Sequence, residues 1–493
     1  MATEQHTDVI VVGGGQAALS AAISAQESGA RVILLEKAPE AERGGNTVFT
    51  DLTRFAYNGL DDLRTLIPHL TDEDAATLEV EEYGADRFYN DLMRVSGGRA
   101  DPAYSEVIVN ESYSFVKWLV GLGVKWDICW DKAVPGADGK THTRGGLASR
   151  AAGGGEETSR ILFNLAAKRG ITILYETMAT KLLVNEAGKV IGVKVKDKSG
   201  QHDINSKAVI LTCGGFQASP EMRTKYLGPS WDLVKVRGTR YDTGDGLNMA
   251  LQIGAAVAGQ FSGCHAVQVM MEGPEFELRD YACAHGYTNG IVVNQVGNRF
   301  IDEGEDFNTY TYAKEGRAVL GQPQNIAFQI FDENKAMRSV LATYESMYKA
   351  VTPVVADTIG ELACKLDINE EALVKTVSEF NASVQDVPFD PTVLDGKGTE
   401  GIAPPKSNWA LRIDTPPYSA YPVTCGITFT FGGLKTNTKA QVIDTQGNPI
   451  PSLYAAGEMA GSYYFNYASG SGLMKGGVFG RIAGKNAASE PAG

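Results

Sequence analysis

The stretch Asp8-Val-Ile-Val-Val-Gly-Gly-Gly-Gln-Ala-Ala-Leu-Ser20 decides the fold. Asp8–Val12 is a short, continuous apolar run ended by three glycines, which suits a strand buried on both faces of a parallel sheet. Residues 16–28 are Ala-rich with apolar positions at helical spacing, and Gly29 stops them. Val32–Leu35 is the next strand, closed by Glu36. Strand, glycine turn, helix and strand make one βαβ unit. Within it, Gly13-x-Gly15-x-x-Ala18 carries a physical requirement at each position. Gly13 permits the tight turn, Gly15 lets the backbone approach a pyrophosphate, and Ala18 keeps the helix close to the sheet. Glu36, 21 residues past Gly15, is placed to accept from ribose hydroxyls. Gln16, Ala17 and Lys37 complete this candidate dinucleotide site.

Working outward, Ile171–Glu176, Lys181–Asn185 and Val190–Lys196 read as strands with a turn at Glu186-Ala-Gly188, and Ala208–Gly215 is an apolar strand entering a glycine pair. The expected class is α/β, a parallel sheet with an antiparallel meander attached. Residues 264–428 have a different texture and read as an inserted α+β capping domain. The dinucleotide-binding style occupies 1–263 and returns over 429–493. Inside the insert, Val292–Ile301 is hairpin-like, Thr358–Glu361 matches a capping box, Asp367–Phe380 offers a second helix start, and 386–418 reads as loop. At the C-terminus, Ser452–Glu458 is a strand entering glycine and Leu473–Ala488 a helix.

Net charge −14, from 45 basic and 59 acidic residues, argues against nucleic-acid partners and anionic membranes. Gly is about 11% of the chain against about 7% typically. Its clusters between apolar runs suggest turns against a ligand. The six cysteines, Cys129, Cys213, Cys264, Cys283, Cys364 and Cys425, form no C-x-x-C, which argues against a cluster, a zinc site or a disulfide scaffold. No apolar run approaches the roughly 18 residues of a membrane helix, and no basic leader precedes the first strand. A cytoplasmic protein without membrane insertion is expected.

One dinucleotide is expected, not two. The only other glycine fingerprint, Gly153-Gly-Gly155-x-x-Thr158, follows RGGLASRAA (144–152), which does not read as a strand. Arg43-Gly-Gly-Asn-Thr47 and Leu453-Tyr-Ala-Ala-Gly-Glu458 favour FAD. At this point the sequence resembles the flavoproteins of the fumarate reductase and 3-ketosteroid dehydrogenase superfamily. The likeness runs through nearly the whole chain, in VVGGGQAAL (11–19), LLEKAP (34–39), RGGNT (43–47), VILTCGGF (209–216), YDTGDG (241–246), VNQVGNRFIDEGEDF (293–307), PPKSNWA (404–410), YPVTCGITFTFGGL (421–434), LYAAGEMAG (453–461) and FNYASGSGLMKGGVFGRIAG (465–484). Within the superfamily it is most similar to tricarballylate dehydrogenase and the flavin half of a corrin-ring synthase.

The resemblance implies that Gly44, Gly45, Asn46 and Thr47 cradle FAD beside its pyrophosphate and ribitol. It places Ala179 at the adenine, lines the cofactor with Thr212, Cys213 and Gly214, and gives ribitol or ribose contacts to Asp245 and Glu458. Ser471, Gly472 and Leu473 would point N–H groups at the flavin N1/C2 carbonyl, where reduced flavin carries negative charge. Membrane-bound relatives attach FAD through a histidine just past the GGNT segment; here VFTDLTRFAY (48–57) has none, so non-covalent FAD is expected.

The substrate side departs from the fumarate reductases. Their proton-donating arginine has no counterpart in GEDFNTYTYAK (304–314), their histidine before T-M-G-G is replaced in Thr428–Gly433, and another arginine becomes Tyr467. Candidate catalytic residues are therefore Tyr467, Tyr312, Tyr310, His265 and Arg240, with Phe429, Phe431 and Tyr464 as aromatic lining. Tyrosine can serve as a base if its neighbours depress its pKa. Arg144, Arg150 and Arg237 are further cations for a carboxylate.

Three functions fit. The first is a tricarballylate-type dehydrogenase desaturating a C–C bond next to a carboxylate or carbonyl, with hydride going to flavin N5. The second is an ene reductase or ketone desaturase for a bulkier, less charged substrate. The third is a non-enzymatic flavin module of a complex. Lacking cluster, haem and NAD motifs, the chain needs a separate electron acceptor: a redox protein, a quinone or oxygen.

Overall fold

The structure, a computed structural model, describes residues 5–491 apart from 137, 144 and 283. Arg144 and Cys283 therefore lie outside the described residues. The opening run is the strand Gln5–Val12, at the centre of an eight-stranded sheet. It pairs in parallel with Val32–Leu35 on one side and Gly200–Leu211 on the other. Thr172–Leu174 and Pro449–Ala455 extend the parallel run outward. Its residues alternate between two cores, which is why the run is apolar throughout. Val9 and Val11 join a helical cluster with Leu34, Ala208 and Ile210. Ile10 and Val12 join Ile33, Val209 and Leu211 against the meander residues Ala179, Leu182 and Val193. Each fully buried Val, Leu or Ile among them contributes about 1.5–3 kcal/mol. The meander is Met178–Val184, Val190–Asp197 and Gly200–Leu211, all antiparallel.

Register places the carboxyl ends of four strands at one edge. Val12 aligns with both Leu35 and Leu211, and Leu211 with Ala455. Gly13, Glu36, Thr212 and Glu458 thus leave the sheet on the same side, the position where open α/β sheets bind ligands. Helix Gln16–Glu27 packs on the C-terminal helix Ser471–Ala488. A Cβ at Gly480 or Gly484 would overlap the carbonyl of Ala17 or Ala21, so glycine is needed for the two backbones to approach. Both helix N-termini consequently open onto the same space.

A six-stranded sheet contains Cys264–Met270, Ile291–Asn294, Ala327–Phe331, Val354–Ala356 and the long strand Tyr418–Thr430. It also takes in Lys235–Val236 from before residue 264, and Tyr418–Thr430 runs continuously through 428–429. Four local expectations change. Ile291–Asn294 pairs with Ala327–Phe331, and the suggested hairpin return keeps one bridge, Val293 to Arg299. The second helix starts at Glu370, capped by Asn369, whose side chain accepts from Ala372 N–H at 2.8 Å; Asp367 lies outside at φ +56°. Thr358 caps Ile359–Lys365, but Glu361 turns its carboxylate to Asp357 N–H, 3.1 Å away. RGGLASRAA does hold a short strand, Ser149–Ala151, paired antiparallel with Trp126–Ile128 and outside the parallel sheet. The following helix, Gly154–Lys168, packs on Gly45–Phe49 instead of opening onto a sheet edge.

Candidate active site

A cavity of about 300 Å³ runs from the carboxyl edge of the parallel sheet to the six-stranded sheet. At its sheet end the turn Gly13–Gly15 presses against its neighbours. A Cβ on Gly13 would lie 2.6 Å from Thr212 O, and one on Gly14 would overlap Glu36 Oε2. Glu36 is buried and accepts from Ala38 N–H at 2.9 Å; burial, its largest influence, raises its pKa. The helix behind the turn has Gly15 as N-cap and no side-chain cap. The C-terminal helix is likewise capped by Gly470 (φ +79°) without a side chain. Two helix N-termini thus face one cavity with their ends unblocked by capping side chains, which suits a pyrophosphate at one and an anionic flavin edge at the other. The residues present therefore fit FAD.

Much of this end is fastened to itself. Gln16 N–H donates to Thr47 Oγ1 at 2.8 Å, and the Gln16 amide donates to Leu473 O at 3.3 Å. Asn46 uses both ends of its amide, donating to Thr428 O at 2.8 Å and accepting from Thr239 N–H at 3.0 Å. Lys37 donates to Asp245 at 2.7 Å. Gly45, Ala17, Ala179, Cys213, Gly214 and Gly472 also line the cavity. Ala18, Gly44 and Ser471 do not line it. Ala18 is buried, Gly44 (φ +106°) presses on Val48 and Ser159, and Ser471 Oγ donates to Ala468 O.

A carboxyl pair escaped sequence reasoning. Gln217, itself buried, donates from its amide to Asp242 at 2.6 Å and to Glu458 at 3.2 Å, and both acids line the cavity. Thr430 N–H also donates to Glu458, at 2.8 Å. Burial is the largest influence on both acids, pushing Glu458 up to about 7 and Asp242 well above its usual value. Lys475, whose ammonium donates to Ala460 O at 2.8 Å, is lowered to about 7 by burial. The signal lay in the glycine pair: a Cβ on Gly214 would overlap Asp242, and one on Gly215 would overlap Glu458.

At the other end, His265 and Phe429 are cross-strand partners, beside a bulge that leaves Thr428 unpaired in the ladder. The bulge turns that strand toward the cavity, which His265, Thr428 and Phe429 all line. His265 is fully buried, and neither ring nitrogen has a hydrogen-bond partner among the described residues. Burial first, then Arg237 and His285, hold its pKa well below the usual value, so the imidazole is neutral. Phe429 and Tyr467 ring centroids each lie 5.0 Å from it, and Tyr312 lies 4.8 Å away. Tyr467 Oη accepts from Gly472 N–H at 2.9 Å, while Tyr312 Oη donates to Ser469 Oγ at 3.2 Å. Burial raises the Tyr467 pKa and outweighs the lowering by Gly472, Ser471 and Arg54; the phenol keeps its proton and is set up to donate.

The other two catalytic candidates sit elsewhere. Helix Asn308–Leu320 carries both Tyr310 and Tyr312, and residues two apart on a helix diverge by about 200°. Tyr312 faces the cavity, while Tyr310 donates to Asp91 at 2.7 Å and accepts from the buried Arg54 at 3.1 Å. Arg240 is exposed and paired with Glu277 at 3.1 Å. Of the remaining candidates, Arg150 is paired with Asp51 and Asp131, Phe431 is buried without lining the cavity, and Tyr464 accepts from Gly259 N–H. Arg237 and His285 do line the cavity.

Fold and cavity together define a dinucleotide-binding α/β protein. Residues 8–473 match the family described as FAD binding domain. The chain is 30% identical over 490 residues to the probable fumarate reductase Ifc3 of Shewanella frigidimarina (strain NCIMB 400), covering 98% of this chain and 75% of that protein. It superposes on the open conformation of a flavocytochrome c3 fumarate reductase with a TM-score of 0.73 at 29% identity, covering 99% of this chain and 78% of that one. A 3-ketosteroid-Δ4-(5α)-dehydrogenase from Rhodococcus jostii RHA1 shares the fold, with a TM-score of 0.71 at 24% identity and coverage of 99% and 98%. The chain belongs to the FAD-dependent fumarate reductase superfamily, and is an FAD-dependent oxidoreductase of the CH–CH class. No helix among the described residues is long and apolar enough to cross a membrane.

Proposed function

We propose that this enzyme interconverts a saturated and an unsaturated C–C bond next to a carboxylate or carbonyl. The observation that carries the reading is His265, fully buried in the cavity wall with both ring nitrogens unpartnered among the described residues. A buried polar group without a partner is costly, and a substrate oxygen would satisfy it. FAD bound here non-covalently would supply hydride exchange at N5. The protein's part is to grip the oxygen through His265, flank the reacting carbons with Phe429 and Tyr312, and move a proton at Tyr467 Oη. Region 264–428 acts as the cap that excludes water from this step.

Tricarballylate, oxidised to an aconitate, is the first substrate to try, on the likeness at 404–434 and 465–484. The second reading, a bulkier ketone or enone, is favoured by the ring-lined wall of Phe429, Tyr463 and Tyr467. Anaerobic flavin spectra decide between them. Bleaching by tricarballylate supports the first and bleaching by a cyclic ketone the second. If neither these nor any enoate or enone perturbs the oxidised or the reduced flavin, the reading is wrong. Acid precipitation should release intact FAD into solution; flavin retained on the polypeptide would show a covalent link. Electrons should leave to a separate redox protein. Reoxidation by air as fast as turnover, with stoichiometric peroxide, would instead identify oxygen as the acceptor.

A further inference from the structure

Among the described residues, four lysines or arginines line the cavity: Lys37, Lys132, Lys475 and Arg237. Three have their charge answered within the protein. Lys37 is paired with Asp245 at 2.7 Å, and Lys132 lies 3.5 Å from both Asp51 and Asp131. Lys475 donates to Ala460 O and Ser462 Oγ, and burial draws its pKa down to about 7. Arg237 is the exception. Its guanidinium has no ion pair and no acceptor among the described residues, and its Nε is buried without a partner.

The position is also rigidly built. Arg237 N–H donates to Ile427 O at 2.8 Å, and Arg237 O accepts from Leu278 N–H at 3.2 Å. The next two residues are locked to Asn46: Gly238 has no room for a Cβ beside it, and Thr239 N–H donates to Asn46 Oδ1 at 3.0 Å. The arginine is therefore carried between the GGNT segment and the bulged strand that holds Thr428 and Phe429. Its charge reaches both His265 and His285 and, after burial, lowers their pKa values. The cavity wall thus offers one fixed cation beside two neutral imidazoles. A planar, permanently charged fork of this kind matches a carboxylate in two-point geometry.

We propose that Arg237 anchors a carboxylate of the substrate, attached next to the reacting C–C bond, and thereby sets the choice of unsaturated or saturated acids over ketones. This rests on the reading of the cavity as a CH–CH substrate site. Arg237 is a specificity residue in this account, with no part in moving the proton.

The test compares FAD-loaded wild type, Arg237→Gln and Arg237→Lys. The probes are crotonate and cinnamate, each beside the methyl ketone of the same skeleton, with Kd read from perturbation of the visible flavin spectrum. Loss of the guanidinium should raise Kd for the acids by about 30-fold and for the ketones by less than about 3-fold. Arg237→Lys should recover part of the acid affinity, and FAD affinity of the apoprotein should stay unchanged in both variants. Equal weakening of acids and ketones would overturn the proposal, as would loss of FAD with acid-over-ketone preference intact, which would make Arg237 a cofactor residue. Binding of neither acids nor ketones by wild type would remove the underlying reading and this proposal with it.

Discussion

The two ends of the cavity treat their polar groups in opposite ways. At the cofactor end, Gln16, Lys37, Asn46 and Thr47 are bonded to one another or to nearby backbone and side chains. At the substrate end, His265 and Thr428 carry buried polar atoms with no partner among the described residues, and Arg237 has no ion pair among them. A pre-formed cradle grips through backbone N–H groups and close approach, so its side chains are free to brace the frame. A substrate wall grips through side chains, which must be left unsatisfied until ligand arrives. The same contrast predicts how each end fails.

The largest effect should come from the glycine turn. Gly14→Val drives a side chain into buried Glu36, so it should abolish FAD retention and also lower the apoprotein melting temperature. Gly15→Val differs: a Cβ there meets Thr47 Oγ1 only at 3.3 Å, so FAD should be lost while the apoprotein melts almost as wild type. Flavin absorbance per protein and thermal melts of both variants check this. Unchanged flavin content in Gly15→Val would break the cradle account.

Next is Tyr467→Phe at the substrate end. Removing the hydroxyl should lower turnover by about 10²–10⁴-fold while leaving FAD content unchanged. A wild-type rate would dismiss Tyr467 as the proton carrier.

A smaller, pH-dependent effect should come from the floor of the cavity. Glu458 is raised from 4.5 to about 7 in the fold, so the folded state keeps a proton that the unfolded chain loses. Its contribution to stability is present in acid and fades as pH rises from about 4.5 to about 7. Lys475 acts oppositely: lowered from 10.5 to about 7, it lets stability recover as pH rises between those values. Melting of apoprotein Glu458→Gln should therefore fall less than wild type between about pH 5 and 7. Parallel curves would contradict the assignment. Smallest of all, Arg240→Ala removes an exposed pair with Glu277 and should change turnover by less than about twofold.

What was legible in the sequence follows the same division. The βαβ unit at 8–36 could be read directly because strand, turn, helix and acid are local and each residue answers a backbone requirement. The meander and the C-terminal helix were readable for the same reason. Residues that depend on distant packing were not. Asp242 and Asp245 sit in one YDTGDG segment, and only the room left by Gly214 makes Asp242 the partner of Gln217 and Glu458. Arg237 and Arg240 are three residues apart, yet one lines the cavity and the other faces solvent. Tyr310 and Tyr312 could have been separated had the helix Asn308–Leu320 been recognised, because its periodicity forbids both from facing one cavity.

The central claim is that the unsatisfied wall of His265 and Arg237, next to the cofactor cradle, is where substrate oxygen binds. A crystal structure of the FAD-loaded protein with a saturated or unsaturated carboxylate tests it most directly. The account predicts carboxylate oxygens within hydrogen-bond distance of a His265 ring nitrogen and the Arg237 guanidinium, with the Tyr467 hydroxyl facing the bond to be reduced or formed. A ligand bound elsewhere, with His265 and Arg237 still unpartnered, would contradict it.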